Sequence, residues 1–75
     1  MKELIEYIAK TLSNNPDQVM VTQTEEEGQV ILRLQVADED KGRIIGRQGR
    51  VAQAMRTLLR VAAVKNGTRA LLEIV

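Results

Sequence analysis

The stretch Gly42 to Arg50, GRIIGRQGR, constrains this chain more than any other. Two glycines three positions apart, Gly46 and Gly49, separate a short apolar run from a long helical pattern. Glycine adopts backbone dihedrals that side chains forbid, so the spacing predicts a tight turn between two helices. The second helix would present its unpaired N–H groups and partial positive charge at this turn. A cationic glycine turn of this kind is suited to holding phosphate.

The N-terminal half shows one helical pattern followed by two strand patterns. Apolar residues at helical spacing predict a first helix over about 2–13: Leu4, Ile5, Ile8, Ala9 and Leu12. Val19 to Thr24 is rich in β-branched residues, and Gln29 to Val36 alternates between apolar and polar residues. The linker Glu25 to Gly28 joins the two strands as an antiparallel hairpin. The inward face of the second strand is predicted to carry Val30, Leu32, Leu34 and Val36.

The C-terminal half predicts two helices and a last strand. A short helix from about Glu39 to Ile45 has Asp38 as its N-cap, and a long helix spans Arg50 to Lys65. Asn66-Gly67 ends the long helix, and a strand runs from Thr68 to Val75. On the long helix, the residues expected to face the sheet are Val51, Met55, Leu58 and Ala62.

The resulting order, α-β-β-α-α-β, predicts one α+β domain over residues 1–75. Three helices on a three-stranded sheet would bury the helix stripes and the strand faces in one two-layer core. A chain of 75 residues is near the lower limit for a domain that folds alone, so its core has to be efficient or shared with a partner.

The charge is distributed unevenly along the sequence. Residues 1–40 carry three basic and nine acidic residues, whereas residues 41–75 carry eight basic residues and Glu73 as their one acid. This asymmetry indicates a basic face for a polyanion, unless folding interleaves the two halves into a mixed surface.

The sequence lacks the residues that several classes of function require. The chain has no His and no Cys, and no phosphate-binding loop with a Gly-Lys-Ser/Thr sequence. No acid/base pair, nucleophile or metal-ligand set is present, so we expect neither an enzyme nor a cofactor or metal site, and no small-molecule substrate. No apolar run approaches the ~20 residues of a membrane span, and the N-terminus does not resemble a signal peptide. A cytoplasmic location is therefore expected.

The residues quoted above resemble a known family. The element order, with IIGRQG at the junction of two helices, is similar to a type II KH domain, whose GXXG loop clamps about four nucleotides by their backbone. The closer resemblance is to the KhpA family of small bacterial single-KH RNA-binding proteins. It extends over essentially the whole chain, including Asn15-Pro16 and GRQGRVAQAMR.

The resemblance implies a type II KH fold with a mixed three-stranded sheet and a non-catalytic role in binding single-stranded RNA, as a post-transcriptional regulator or RNA chaperone. Its GXXG loop corresponds here to Gly46-Arg47-Gln48-Gly49, with Arg47 as the main phosphate ligand. Ile44 and Ile45 are neighbours on a short helix, so one faces the core and the other floors an aliphatic groove for bases. Further phosphate contacts are predicted at Lys41, Arg43 and Arg50. Arg56 and Arg60 are explained equally well by a solvated helix face.

The resemblance also implies a dimer, because KhpA-like proteins self-associate and pair with a larger KH partner of the Jag/KhpB type. Val61 and Val64 lie off the predicted core direction of the long helix, and Leu71 and Val75 lie on the outward face of the last strand. We predict that Val61 and Val64 belong to the dimer interface.

One alternative remains open at this point. Helix-hairpin-helix modules also use glycines between two helices to hold phosphates, and they bind double-stranded DNA. Their glycines are usually two apart rather than three, and they come without this sheet.

Overall fold

A computed structural model describes all 75 residues of the chain. The elements follow the predicted α-β-β-α-α-β order: α1 (Lys2–Leu12), β1 (Met20–Glu26), β2 (Gln29–Gln35), α2 (Lys41–Ile45), α3 (Arg50–Lys65) and β3 (Arg69–Ile74). Single 3₁₀ turns at Asp38–Asp40 and Arg47–Gly49 precede α2 and α3. The predicted α+β class and element order are confirmed.

The three strands form one mixed sheet in the order β1-β2-β3. β1 pairs antiparallel with β2, from Met20 opposite Gln35 to Glu26 opposite Gln29. β3 pairs in parallel with β2, because the chain crosses over through α2 and α3 before it returns to the sheet. The central strand is therefore β2, and β1 and β3 are the edges.

The hairpin turn is tighter than the predicted linker. It contains only Glu27 and Gly28, whose φ angles of 48° and 79° suit the two-residue turn that matches the twist of paired strands. Glu25 and Glu26 belong to β1 because Val30 and Gln29 of β2 supply their pairing partners. The four-residue linker was therefore wrong by two residues.

The core lies between the sheet and the helices. The predicted inward face of β2 is confirmed, since Leu32 and Leu34 are fully buried and Val30 is 5% exposed. Ile5 and Ala9 of α1 pack into the same core, as do further residues of the remaining elements: Ile44, Met55, Leu59 and Leu72. Apolar side chains from all six elements share one cluster, so the sheet and helices stabilise each other.

The predicted face of α3 was wrong at Leu58. The buried residues are Ala52, Met55, Leu59 and Ala63, whereas the side chain of Leu58 is 46% exposed. Successive helical residues are rotated by about 100°, so placing Leu59 in the core turns Leu58 to the flank. The buried stripe therefore lies one position further along the chain than predicted at every residue except Met55.

The end of α3 is capped as predicted. Gly67 has a φ angle of 69°, its N–H donates to Val64 O at 3.1 Å, and Thr68 N–H donates to Ala63 O at 2.9 Å. This pair of hydrogen bonds is the Schellman motif, which satisfies carbonyls at a helix end. It turns the chain directly into β3.

No helix of the chain combines the length and the apolar character that crossing a membrane requires.

Candidate functional site

The start of α2 is built differently from the predicted N-cap. Asp38 makes no side-chain capping hydrogen bond; it lies inside the 3₁₀ turn, and its carboxylate pairs with Lys41 Nζ at 3.1 Å. The 3₁₀ turn begins after Ala37. The capping role given to Asp38 was therefore wrong, and the acid that matters structurally is Asp40, two residues later.

Asp40 anchors the segment that leaves α1. Its side chain is 1% exposed, and its carboxylate accepts hydrogen bonds from the Ser13 hydroxyl at 2.5 Å and from the backbone N–H groups of Asn14 and Asn15 at 3.2 Å each. Asn15 Nδ2 donates a fourth hydrogen bond at 3.3 Å. The Ser13 hydrogen bond is the main reason that the pKa of Asp40 lies below its usual value, and the Asn14 and Asn15 hydrogen bonds add to it against the effect of burial. We call these residues, Ser13 to Asn15 with Asp40, the polar knot.

The polar knot was missed by the sequence reasoning, which interpreted Asn14 and Asn15 only as the end of a helix. Its partners are 25 to 27 residues apart in the chain. No periodic pattern reports such a contact. Asp40 itself stands between Glu39 and Lys41, so its sequence neighbours give no sign that its carboxylate is buried.

The loop between α2 and α3 has the backbone that only glycine tolerates well. Gly46 has φ 80° and ψ 170°, and Gly49 has φ 73° and ψ 14°. Between them Gln48 is also left-handed, with φ 58° and ψ 26°, a conformation that few side chains other than Asn, Asp and Gly adopt readily. The backbone therefore makes a sharp turn whose outer residues are held away from the domain.

The two glycines are required for different reasons. A Cβ atom on Gly46 would lie 2.8 Å from Val51 Cβ and 2.9 Å from Val51 N, and would also overlap Val51 Cγ2. A Cβ atom on Gly49 would meet nothing within 4 Å. Gly46 therefore lets the loop pack against α3, whereas Gly49 presents an open backbone surface.

The four cationic side chains predicted for the site differ in how many hydrogen bonds and ion pairs they make. Arg47 is exposed and makes no hydrogen bond or ion pair, and Arg50 is exposed, with only a 3.4 Å hydrogen bond to Gln48 Oε1. Arg43 donates to Asn14 Oδ1 at 3.1 Å, and Lys41 is held by Asp38. The structure thus brings all four to the α2 region and leaves Arg47 as the least engaged.

The neighbouring isoleucines divide as predicted. Ile44 is fully buried in the core and Ile45 is 39% exposed. Ile45 therefore offers an aliphatic surface immediately before Gly46.

The residues predicted for a dimer interface lie on the surface. Val61 is 52% and Val64 is 70% exposed, and Leu71 and Val75 of the β3 region are 48% and 47% exposed. Leu58 adds to the apolar surface of α3, because it is not in the core.

No group of three or more His, Cys, Asp or Glu side chains is arranged to hold a metal ion.

The order of elements, the mixed sheet and the Gly-x-x-Gly turn between α2 and α3 together define a KH domain. A family model described as "KhpA/KhpB, KH domain" matches residues 2–74, and the chain belongs to this family. The predicted resemblance is confirmed.

Full-length relatives agree with the family assignment. The chain is 49% identical over 75 residues to the RNA-binding protein KhpA of Clostridium acetobutylicum, with 100% of both chains covered. It is 50% identical over 74 residues to the RNA-binding protein KhpA of Treponema pallidum, covering 99% of this chain and 92% of the relative.

A solved structure shares the fold. The crystal structure of Era in complex with MgGDPNP and nucleotides 1506-1542 of 16S ribosomal RNA superimposes with a TM-score of 0.57 at 19% sequence identity. The match covers 97% of this chain and 28% of the Era chain. At this identity the likeness supports the fold alone.

Proposed function

We propose that this protein binds single-stranded RNA without catalysing a reaction, and that the Gly46–Gly49 loop holds the RNA backbone. The observation that carries the proposal is Arg47, an exposed guanidinium with no partner in the chain, on a turn whose backbone is opened by two glycines. Relatives that match the chain over its full length are named RNA-binding proteins. The role we infer is that of a post-transcriptional regulator or RNA chaperone in the bacterial cytoplasm.

The geometry of the loop gives Arg47, Gln48 and Gly49 different proposed roles in binding the RNA backbone. Arg47 supplies a charge-assisted hydrogen bond to a phosphate oxygen, which is stronger than a neutral one. The open side of Gly49 allows a phosphate to approach the loop backbone closely. Gln48 is held outward by its left-handed backbone and can donate from its amide. Phosphate contacts of this kind position the strand without selecting its sequence.

Ile45 favours an unpaired strand. Its exposed aliphatic surface lies next to the loop, where it can contact the face of a base that is not paired or stacked in a duplex. The chain has one aromatic residue, Tyr7, so base stacking on aromatic rings does not provide the affinity. Binding by this single domain should therefore be weak and tolerant of sequence.

A titration of short RNA against loop variants tests the proposal. Fluorescence anisotropy of a labelled uridine strand is measured with the wild type, Arg47→Gln and Gly49→Asp; Gly46 is left intact because any side chain there overlaps Val51. We expect Arg47→Gln to weaken binding by about tenfold and to flatten the salt dependence of log K by about 0.7, the value for one phosphate on a single strand. Gly49→Asp should weaken binding further by repelling phosphate.

The control for this titration is Lys10→Gln, which removes one positive charge from α1, away from the loop. Equal RNA affinity of Arg47→Gln and Lys10→Gln would contradict the loop assignment. A parallel titration with duplex DNA addresses the helix-hairpin-helix alternative, which predicts tighter binding to the duplex than to the single strand.

We further propose that the protein acts as a dimer through the exposed flank of α3, with itself or with a larger KH protein of the Jag/KhpB type. Support comes from the exposed side chains of Val61 and Val64, since a small domain rarely leaves contiguous apolar area uncovered. The family model bears the names of both KhpA and KhpB.

Sedimentation at micromolar concentration tests the dimer. We expect the wild type to sediment as a dimer and Val61→Asp and Val64→Asp to sediment as single chains, because burying a carboxylate without a partner is costly. Met20→Asp is the matched control, since Met20 is 59% exposed on the edge strand β1. A wild type that already sediments as one chain, alone and with a purified larger KH partner, would remove this proposal.

A further inference from the structure

Arg43 of α2 and Glu39 of the preceding 3₁₀ turn are four residues apart, yet they form no ion pair. Side chains at this spacing are neighbours on a helix, and opposite charges there attract each other. The chain has four ion pairs, and neither residue takes part in one. The adjacent acid and base behave differently, because Lys41 Nζ pairs with Asp38 at 3.1 Å. Other contacts must therefore hold Arg43 and Glu39 apart.

Two consecutive asparagines bind these two side chains separately. Asn14 Oδ1 accepts a hydrogen bond from Arg43 Nη1 at 3.1 Å, and Asn15 Nδ2 donates one to Glu39 Oε1. Chemistry fixes the orientation of both amides, since a guanidinium only donates hydrogen bonds and an ionised carboxylate only accepts them. Both asparagines are neutral, so Arg43 keeps its full positive charge.

The two asparagines are themselves held by the polar knot. The Asp40 carboxylate is 1% exposed and accepts the backbone N–H groups of Asn14 and Asn15 at 3.2 Å each. It also accepts Asn15 Nδ2 at 3.3 Å. The backbone that carries both amides is therefore anchored by a buried group.

Arg43 lies on the side of α2 from which the Gly46–Gly49 loop begins. Gly46 follows three residues later, and its N–H donates to Gly42 O at 2.9 Å as it would in a continuing helix. Residues three apart are neighbours on a helix surface. Asn14 accepts from one of the five N–H groups of the guanidinium, so the others remain for a phosphate. Arg43 is therefore oriented beside the loop without being neutralised.

We propose that Asn14 and Asn15 are positioning residues that keep the Arg43 cation available to the RNA backbone. Asn14 orients the guanidinium, and Asn15 binds the Glu39 carboxylate. Carboxylate and phosphate oxygens are both strong acceptors for arginine, so a free Glu39 would compete with RNA for Arg43. This inference rests on the proposed function of the loop, and it adds Arg43 to the phosphate contact of Arg47.

A double-variant cycle measures this competition. The affinity for a labelled uridine strand is determined at low salt for the wild type, Asn15→Ala, Glu39→Gln and the two substitutions combined. We expect Asn15→Ala to weaken binding by about threefold, because the released Glu39 forms an exposed ion pair with Arg43. The loss should disappear when Glu39→Gln is added. A purely structural role of Asn15 would weaken binding equally whether or not Glu39 is replaced.

Asp17→Asn is the matched control, because Asp17 is exposed, lies two residues after Asn15 and forms no ion pair. It removes the same charge as Glu39→Gln and should not restore binding to Asn15→Ala. Asn14→Ala tests the other half of the proposal without disturbing the polar knot, since the Asn14 side chain bonds to Arg43 alone. We expect a loss of about twofold that vanishes in an Arg43→Gln background. This variant keeps the proposal testable if Asn15→Ala unfolds.

Arg43→Gln separates this inference from the loop assignment. It should weaken binding and flatten the salt dependence of log K by about 0.7, the value for one phosphate on a single strand. If Arg47→Gln weakens binding and Arg43→Gln does not, the loop assignment stands and the inference is overturned. The inference also fails if Asn15→Ala binds like the wild type or stays weak after Glu39→Gln is added. If neither arginine variant differs from Lys10→Gln, the loop assignment and the inference fail together.

Discussion

The two ends of α2 differ in burial and in hydrogen bonding. At its N-terminal end, Asp40 is 1% exposed and its carboxylate accepts four hydrogen bonds from the polar knot. At its C-terminal end, only five residues further on, Arg47 and Gln48 are exposed and the loop backbone is left-handed. Hydrogen-bonding capacity is used within the fold at one end, whereas the Arg47 side chain at the other end makes no hydrogen bond or ion pair. Tertiary hydrogen bonds therefore fix the N-terminal end of this short helix, whereas glycine backbone conformations shape the loop at its C-terminal end.

The largest expected effect on stability comes from removing the Asp40 hydrogen bonds at the N-terminal end of α2. Asp40→Ala removes the acceptor of four hydrogen bonds, and of the two backbone N–H groups only that of Asn15 keeps another acceptor, the Ser13 hydroxyl oxygen at 2.8 Å. Hydrogen bonds to a charged acceptor are stronger than neutral ones, so we expect their combined loss to lower the melting temperature by about 15 °C. Thermal unfolding followed by circular dichroism measures it.

Asp38→Ala is the matched control, because the Asp38 carboxylate is 94% exposed and pairs only with Lys41. Exposed ion pairs contribute little, so this variant should shift the melting temperature by no more than a few degrees. Equal shifts for the two aspartates would show that the polar knot does not hold the base of α2.

The same contrast predicts a pH dependence. The pKa of Asp40 is lowered in the folded state, first by the Ser13 hydroxyl, so its ionised form stabilises the fold above the pKa of the unfolded chain. That contribution is lost as the pH falls through the folded-state pKa. Glu3 also has a lowered pKa, chiefly through its backbone hydrogen bond, so the wild type is compared with Asp40→Asn rather than interpreted alone. Stability that falls equally in both proteins on acidification would contradict the role of Asp40.

The same two ends show how far the sequence could predict the structure. The loop was predicted from local pattern, because two glycines between helices permit positive φ angles at those positions themselves. The alternation of β2 and the Asn66-Gly67 cap were equally local and equally clear. The polar knot was not predictable in this way, since Asp40 meets Ser13 across 27 residues of chain.

The error on α3 has a related cause. Leu58 and Leu59 are adjacent leucines, and periodicity alone does not decide which of them faces the sheet. Ala52 and Ala63 share the buried stripe with Leu59. The choice depends on the shape of the opposing sheet, which the local pattern does not contain. At the candidate site the glycine turn was predicted, whereas the ion pair of Lys41 with Asp38 and the hydrogen bond of Arg43 to Asn14 depend on how the chain packs.

A smaller effect is expected at the other end of α2, where the two glycines of the loop can be separated. Gly46→Ala places a Cβ against Val51 and forces a side chain into a backbone region that is nearly restricted to glycine. We expect a loss of about 2 kcal/mol in the free energy of unfolding, measured with urea. Val51→Ala in the same chain should restore only part of it, since the overlap with Val51 Cβ and N persists. Full stability of Gly46→Ala would mean that the loop does not pack against α3.

Gly49→Ala should have the smallest effect on stability. It tests whether the loop at the C-terminal end of α2 binds RNA. Its φ of 73° disfavours a side chain by about 1 kcal/mol, but the added Cβ meets no atom of the chain within 4 Å. The added methyl group should therefore affect RNA binding more than it affects the stability of the free protein. We expect the free energy of unfolding to fall by about 1 kcal/mol and the affinity for a uridine strand to fall by more than tenfold, because the methyl group stands where a phosphate would reach the backbone. Gly67→Ala is the control, with a φ of 69° and equally open space at the end of α3. If Gly49→Ala and Gly67→Ala lost the same stability and neither lost RNA affinity, the free end of α2 would be only a turn.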